Sequence, residues 1–393
     1  MSPCKIYWAS AGWYSAKLDS KLMGIRVPKN IATLKPYPPG KPLEELEREY
    51  GIKDSIKLAS NENPLGASPL ALEAIRNHLK NLRRYPDGSG YYLRTRLSQR
   101  LEVEESSIVL GNGSNEIIDL LIRTFVQPGE DVLMSEPTFL VYRLMTQAVG
   151  GRPVQVVQKA FAHDLEAMAE AFTPQTRLVF LDNPNNPSGT VIGRKEFETF
   201  IDRVPDDVLI VLDEAYIEFA NPEQTITGLD YLSGSPPVIS LRTFSKAYGL
   251  AGLRVGYGVM PPEVADYVNR VRQPFNVNSL AQVAALAALD DEQFLQETQK
   301  AVREGLAFLY KELAAMQIRT LPTQTNFFLM EIGYDGRQVY EAMLRRGVIV
   351  RAMNAYGLDN YIRISVGRPE ENQRFLTALR EVMTELGTDS EGG

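Results

Sequence analysis

From Ser107 to about Arg272 the chain alternates short apolar runs with amphipathic stretches. SIVLG, DVLMSE, PVQVV, RLVFLD, VLIVLDE, PVISLRTFS and LRVGYGVM read as strands. SNEIIDLLIRTFV, TFLVYRLMTQAVG, HDLEAMAEAF and PPEVADYVNRVR read as helices, the first with Ser114 or Asn115 near its N-cap. A short apolar run without alternation suits a strand buried on both faces, and strands of that kind pair in parallel through crossover helices. The pattern predicts an α/β fold whose mostly parallel sheet lies between helices.

From about Ser279 the character changes. A long helical stretch leads into TQTNFFLMEI as a strand, GRQVYEAMLRRG as a helix, VIVRAM and NYIRISVG as strands, and a last helix from Pro369. This predicts a smaller α+β domain, with its first long helix joining the two parts. Residues 1–29 are aromatic and aperiodic and contain a second methionine, Met23, so they read as an arm or an upstream extension.

Composition narrows the function classes. With 42 basic and 49 acidic residues the net charge is −7, which gives no general attraction to nucleic acid or anionic membranes. Cys4 is the only cysteine, which excludes an internal disulfide and a cysteine-based zinc site, and His78 and His163 are too few for a multi-histidine metal centre. The longest apolar run, Ala281 to Leu289, falls far short of the ~20 residues that cross a bilayer. Lys and Asp scattered through the N-terminus do not make a secretory leader, so a cytoplasmic protein is expected.

Ligands of open α/β sheets bind beyond the carboxyl ends of strands, and four motifs stand there. GNGSNE (Gly111–Glu116) combines flexible glycines with a helix start, which suits an anion, although an ordinary strand–helix turn accounts for it equally. It departs from the dinucleotide fingerprint because Glu116 takes the place of the last glycine. DNPNNPSG (Asp182–Gly189) makes a tight loop that could present Asn186, or could be a plain turn. In LDEAY, Asp213 ends an apolar run, and a buried carboxylate there needs a partner; a protonated heterocycle fits better than a metal, with Tyr216 three residues on. RTFSKAYGLAGLRVGY (Arg242–Tyr257) sets Thr243, Ser245 and Arg254 around Lys246. That is an anion site beside an amine, as a Schiff-base lysine next to a cofactor phosphate requires.

In this order the four motifs resemble those of the aspartate-aminotransferase-like, fold type I enzymes that use pyridoxal 5′-phosphate, over about residues 30–385. RYPDGSG, SEPTF, LDNPNNPSG, LDEAYIEF and YIRISVG are most similar to the histidinol-phosphate aminotransferase branch. The resemblance implies a seven-stranded type of sheet and roles for particular residues. Lys246 would bind the cofactor covalently and shuttle the proton at the substrate's Cα. Asp213 would pair with the ring nitrogen, Asn186 and Tyr216 with the 3-hydroxyl oxygen. Gly113, Ser114 and Asn115 with Thr243, Ser245 and Arg254 would hold the phosphate, and Phe139 would stack on the ring where relatives often carry Tyr. Arg363 would grip the substrate carboxylate, with Arg351 and Tyr37 assisting at a substrate phosphate. Tyr85 would reach the cofactor phosphate of the neighbouring subunit of a homodimer.

The domain expectation that goes with it is an arm at 1–29 and a segment at 30–60 packed on the small domain. The large cofactor-binding domain would span 61–285 and the small one 286–393. The implied reaction exchanges an amino group between L-glutamate and imidazole acetol phosphate. Aromatic aminotransferases and a threonine-phosphate decarboxylase share most of these motifs. More distant alternatives are a nucleotide-binding oxidoreductase, with Glu130 as the ribose acid, and a non-catalytic ligand sensor.

Overall fold

The computed structural model describes residues 26–391, so Cys4, Met23 and nearly all of the expected arm lie outside the described residues. The first described helix, Lys29–Ala32, spans the expected boundary at 29/30 and is pinned by Asn30, whose Nδ2 donates to the carbonyls of Gln147 and Ala148. A short strand β1 (Ile56–Lys57) follows. Seven strands then build the central sheet: β2 (Ile108–Gly111), β3 (Asp131–Glu136), β4 (Arg152–Val157), β5 (Thr176–Asp182), β6 (Leu209–Asp213), β7 (Val238–Thr243) and β8 (Gly256–Val259). They are ordered β2-β8-β7-β6-β5-β3-β4, and all are parallel except β8, which runs against both of its neighbours.

Both faces of the sheet are covered because its strands are apolar on both faces. Leu178 and Phe180 of β5 pack with Ile117, Leu121 and Val268 from the helices Ser114–Phe125 and Pro262–Val271. Val179 and Leu181 face the other way, towards Phe197, Phe200 and Met168. Asp131 is buried at the start of β3 and is held by Arg152 at 2.8 Å.

The C-terminal portion contains β9 (Arg319–Thr320), β10 (Phe327–Glu331), β11 (Val348–Ile349), β12 (Arg351–Ala352) and β13 (Tyr361–Ser365). Four of these form an antiparallel sheet in the order β12-β13-β10-β9, while β11 pairs in parallel with β1. Phe328, Met330, Ile362 and Ile364 meet Leu309, Leu313, Val339 and Phe375 in a separate core, to which Leu58 also belongs.

Two local expectations need correction. Residues 279–315 are two helices, Ser279–Leu289 and Glu292–Ala315, because the Asp291 carboxylate accepts the Phe294 N–H and starts the second one. VIVRAM divides into β11 and β12, which serve different sheets. The N-cap of helix Ser114–Phe125 is Gly113, at φ +77°, with Ser114 and Asn115 next to it in the first turn, near the cap as expected. Among the described residues no helix is long and apolar enough to cross a membrane.

Candidate active site

The carboxyl ends of β2, β5, β6 and β7 converge on a cavity of about 320 Å³. Thirteen sequence-predicted residues line it: Tyr37, Ser114, Asn115, Phe139, Asn186, Asp213, Tyr216, Thr243, Ser245, Lys246, Arg254, Arg351 and Arg363. Residues far apart in the chain meet there because the parallel strands all end on one edge and β13 closes from the C-terminal side.

One end of the cavity is built for an anion. A helix's first N–H groups have no intrahelical acceptor, and here they belong to Ser114 and Asn115. Gly113 lies against Arg254, whose Nη2 would be 2.5 Å from a Cβ at that position. Gly256 is equally constrained, since a Cβ there would come within 2.6 Å of the Ser114 nitrogen. Arg254 Nη1 donates to Ser245 Oγ at 3.3 Å, and Thr243 Oγ1 donates to the same hydroxyl at 3.0 Å.

Asp213 closes β6 and is almost wholly buried. Burial pushes its carboxyl up to about 7. Among the described residues its hydrogen-bond donors are the Tyr142 phenol, at 2.8 Å, and the Ala215 N–H, at 3.3 Å, which are neutral and leave room for the cationic heterocycle that the sequence suggested. Tyr142 stacks on Phe180 and meets the edge of Phe139, so its hydroxyl is rigidly placed. Lys246 is partly buried, and its ammonium donates to the Ser60 carbonyl at 3.2 Å. Desolvation, then the neighbouring Arg363 guanidinium, pull its amine down to about 8.

Arg363 is buried and stands 5.0 Å over the Phe327 ring. It donates to Asn186 Oδ1 and to the Ala59 carbonyl, and among the described residues its buried Nε has no hydrogen-bond partner. Asn186 is itself fixed by Asp182, which accepts the Asn186 N–H at 2.8 Å and also bonds Thr138 and Asn185. DNPNNPSG is therefore a braced loop. At the mouth, Arg351 lies 5.7 Å over the Tyr37 ring and donates to the Pro38 carbonyl.

Tyr85 is not brought into this cavity: it is 83% exposed and stacks on Phe275. Glu130, the acid of the oxidoreductase alternative, sits just before the amino end of β3, away from the cavity, and pairs with Arg177 at 2.8 Å. Sequence reasoning missed Ser60, Asn61, Asp182 and Tyr142. The cluster SNENP, polar residues closed by a proline, was the available signal for the first two, and a position one helical turn after Phe139 for the last.

The comparisons with known proteins fall on the same ground. Residues 53–379 match the family model described as aminotransferase class I and II. Histidinol-phosphate aminotransferase 2 of Pseudomonas aeruginosa is 51% identical over 355 residues, covering 90% of this chain and 96% of that protein. The histidinol-phosphate aminotransferase of Moorella thermoacetica is 47% identical, covering 90% and 92%. Among solved structures, histidinol-phosphate aminotransferase from Sinorhizobium meliloti in complex with pyridoxal-5′-phosphate superposes with a TM-score of 0.85. It is 30% identical and covers 92% of this chain and 98% of its own.

Proposed function

The chain belongs to the class I and II aminotransferase family, and from that premise we propose that it transfers an amino group between L-glutamate and imidazole acetol phosphate. The products are 2-oxoglutarate and L-histidinol phosphate, a step of histidine biosynthesis, and the cofactor is pyridoxal 5′-phosphate. Relatives at about half identity support the choice of substrate. The observation that carries it is the meeting of Lys246, Asp213, the Arg254 cradle and Arg363 in one cavity.

The residues present fit the cofactor. Two glycines that admit no Cβ let helix N–H groups and the Arg254 guanidinium border one space, a donor set suited to a phosphate. At the other end a buried carboxylate raised by desolvation suits a protonated ring nitrogen. When bound, pyridoxal phosphate supplies an electron sink for the pair left at Cα.

The protein's own groups do the rest. Asp213 keeps the ring nitrogen protonated, and Lys246 anchors the cofactor through its amine and moves the proton at Cα. Asn186 and Tyr216 serve the 3-hydroxyl oxygen, and Phe139 offers an aromatic face. Arg363 takes the glutamate carboxylate in one half-reaction and the phosphate of the other substrate in the next, a bidentate task that suits a guanidinium. Arg351 and Tyr37 assist at the cavity mouth.

The same proposal includes a cytoplasmic homodimer with shared sites. Tyr85 is exposed and stacked on Phe275, and Leu79, Leu82, Tyr91 and Tyr92 within a few residues of it in the chain are exposed too, side chains of the kind that partners cover. It also includes a large domain at 61–285 and a small one at 286–393 carrying residues 30–60. Separate apolar cores support two domains, but Ala288 and Leu289 still pack with Ala71 and Leu93, so the join falls after helix Ser279–Leu289 and not at 285/286.

A visible absorption titration of the purified, cofactor-loaded protein tests the reaction. Bleaching of the cofactor band by L-histidinol phosphate at far lower concentration than by L-phenylalanine is expected. Preference for phenylalanine would move the enzyme to aromatic amino acids, and release of carbon dioxide from a phosphorylated amino acid would make it a decarboxylase.

A further inference from the structure

One segment, Ala59 to Asn61, touches three residues of the site from outside the motifs that mark it. The Ala59 carbonyl accepts from Arg363 Nη2 at 3.0 Å, and the Ser60 carbonyl accepts from Lys246 Nζ at 3.2 Å. The third contact has a direction. Asn61 Nδ2 donates to the Tyr216 hydroxyl at 2.8 Å, and both residues are buried.

The pairing at Ser365 gives that direction. The main-chain N–H of Asn61 donates to Ser365 Oγ at 2.8 Å, and the Ser365 hydroxyl donates in turn to Asn61 Oδ1, 3.0 Å away. With Oδ1 occupied by Ser365, the amide must present its NH2 group to Tyr216. A phenol that accepts there keeps its own proton for another acceptor, and the cavity lies on its open side. Asn61 is further fixed by its backbone. It sits at φ +55°, a left-handed conformation that Asn tolerates better than most residues, and its carbonyl accepts from Asn326 Nδ2 at 3.1 Å.

We propose that Asn61 and Ser365 are positioning residues that aim the Tyr216 hydroxyl proton into the cofactor cavity. Ser365 lies two residues beyond Arg363 on β13, on the same face of the strand, so the substrate-gripping guanidinium and the origin of this relay share one element. The charged and titratable groups around Tyr216 are Arg363, Asp213, Tyr356 and Lys246. Burial raises the phenol, which keeps it a donor. The proposal rests on the reading that Tyr216 faces the 3-hydroxyl oxygen of bound pyridoxal phosphate.

The test is a spectrophotometric pH titration of the cofactor band in the loaded holoenzyme, which needs no turnover. A donated hydrogen bond favours the anionic oxygen, so Tyr216→Phe should raise the midpoint, by about one pH unit. Asn61→Gly, which tolerates the left-handed backbone and adds no charge, should raise it similarly and add nothing further in the double variant with Tyr216→Phe. Ser365→Ala should shift it in the same sense, while Ser365→Thr, which keeps the hydroxyl, restores the wild-type value. If Asn61→Gly does not fold, the serine pair carries the test. Unchanged midpoints in Asn61→Gly and Ser365→Ala, beside a shifted Tyr216→Phe, would overturn the relay and leave the assignment of Tyr216 intact. No shift in Tyr216→Phe overturns both, and a loaded wild type without a cofactor band overturns the cofactor assignment itself.

Discussion

Lys246 and Asp213 are displaced from their ordinary proton affinities by the same cause, removal from water, and each displacement has a measurable sign. On the proposed function the Lys246 amine, pulled down to about 8, would capture the cofactor only when neutral. Reconstitution of the cofactor-free protein with pyridoxal phosphate should accelerate as pH rises through about 8 and then level. A midpoint near the free-lysine value of ~10.4 would contradict it. Lys246→Ala should fold normally and lose transamination, as circular dichroism and a coupled glutamate assay would show. For Asp213, raised to about 7, the folded chain binds the proton more tightly than the unfolded chain does. Its contribution to stability is therefore full below ~4 and lost as pH rises through about 7. In cofactor-free protein, Asp213→Asn should gain stability relative to wild type between pH 5 and pH 8, read from urea midpoints; in cofactor-loaded protein the same variant should lose turnover. A variant that loses ground over that interval would refute the assignment.

At the level of the element, the decisive piece is the turn between β2 and helix Ser114–Phe125. Gly113 combines φ +77° with the Arg254 guanidinium at a distance that a Cβ cannot share. Gly113→Ala should displace Arg254 and weaken cofactor binding by about tenfold or more, the worth of one charge-assisted hydrogen bond. Equilibrium dialysis measures it. Gly129→Asn is the control, because Gly129 is also left-handed but has open space around it. Equal affinities in the two variants would remove Gly113 from the phosphate cradle. Elements were legible in the sequence wherever an apolar run was long, as in β5 and β6. Legibility failed where a polar pair divided a helix at Asp290–Asp291, and where VIVRAM, apolar throughout its first half, was shared between two sheets.

For the whole molecule, the exposed Tyr85, stacked on Phe275, is the residue that tests whether sites are shared between subunits. Tyr85→Ala should lower cofactor affinity about tenfold if its hydroxyl serves the partner's phosphate. It should have no such effect if the ring only packs on Phe275 within its own chain. Sedimentation velocity alongside the binding titration separates the two, and a fully active monomer would exclude shared sites. Strand–helix alternation and the polar residues that end each strand could be read along the chain, because those depend on local period and composition. The sequence also carried the order of four motifs, whose likeness to one family pointed to thirteen of the residues that line the cavity. Only the tertiary structure decided which groups surround them. Tyr142 as the partner of Asp213, Ser60 as the acceptor of Lys246, and the Ser365–Asn61–Tyr216 chain join residues 71, 186 and up to 304 positions apart. No periodicity reports such contacts, since a hydrogen bond between distant residues leaves no pattern in the chain until the sheet has brought its ends together.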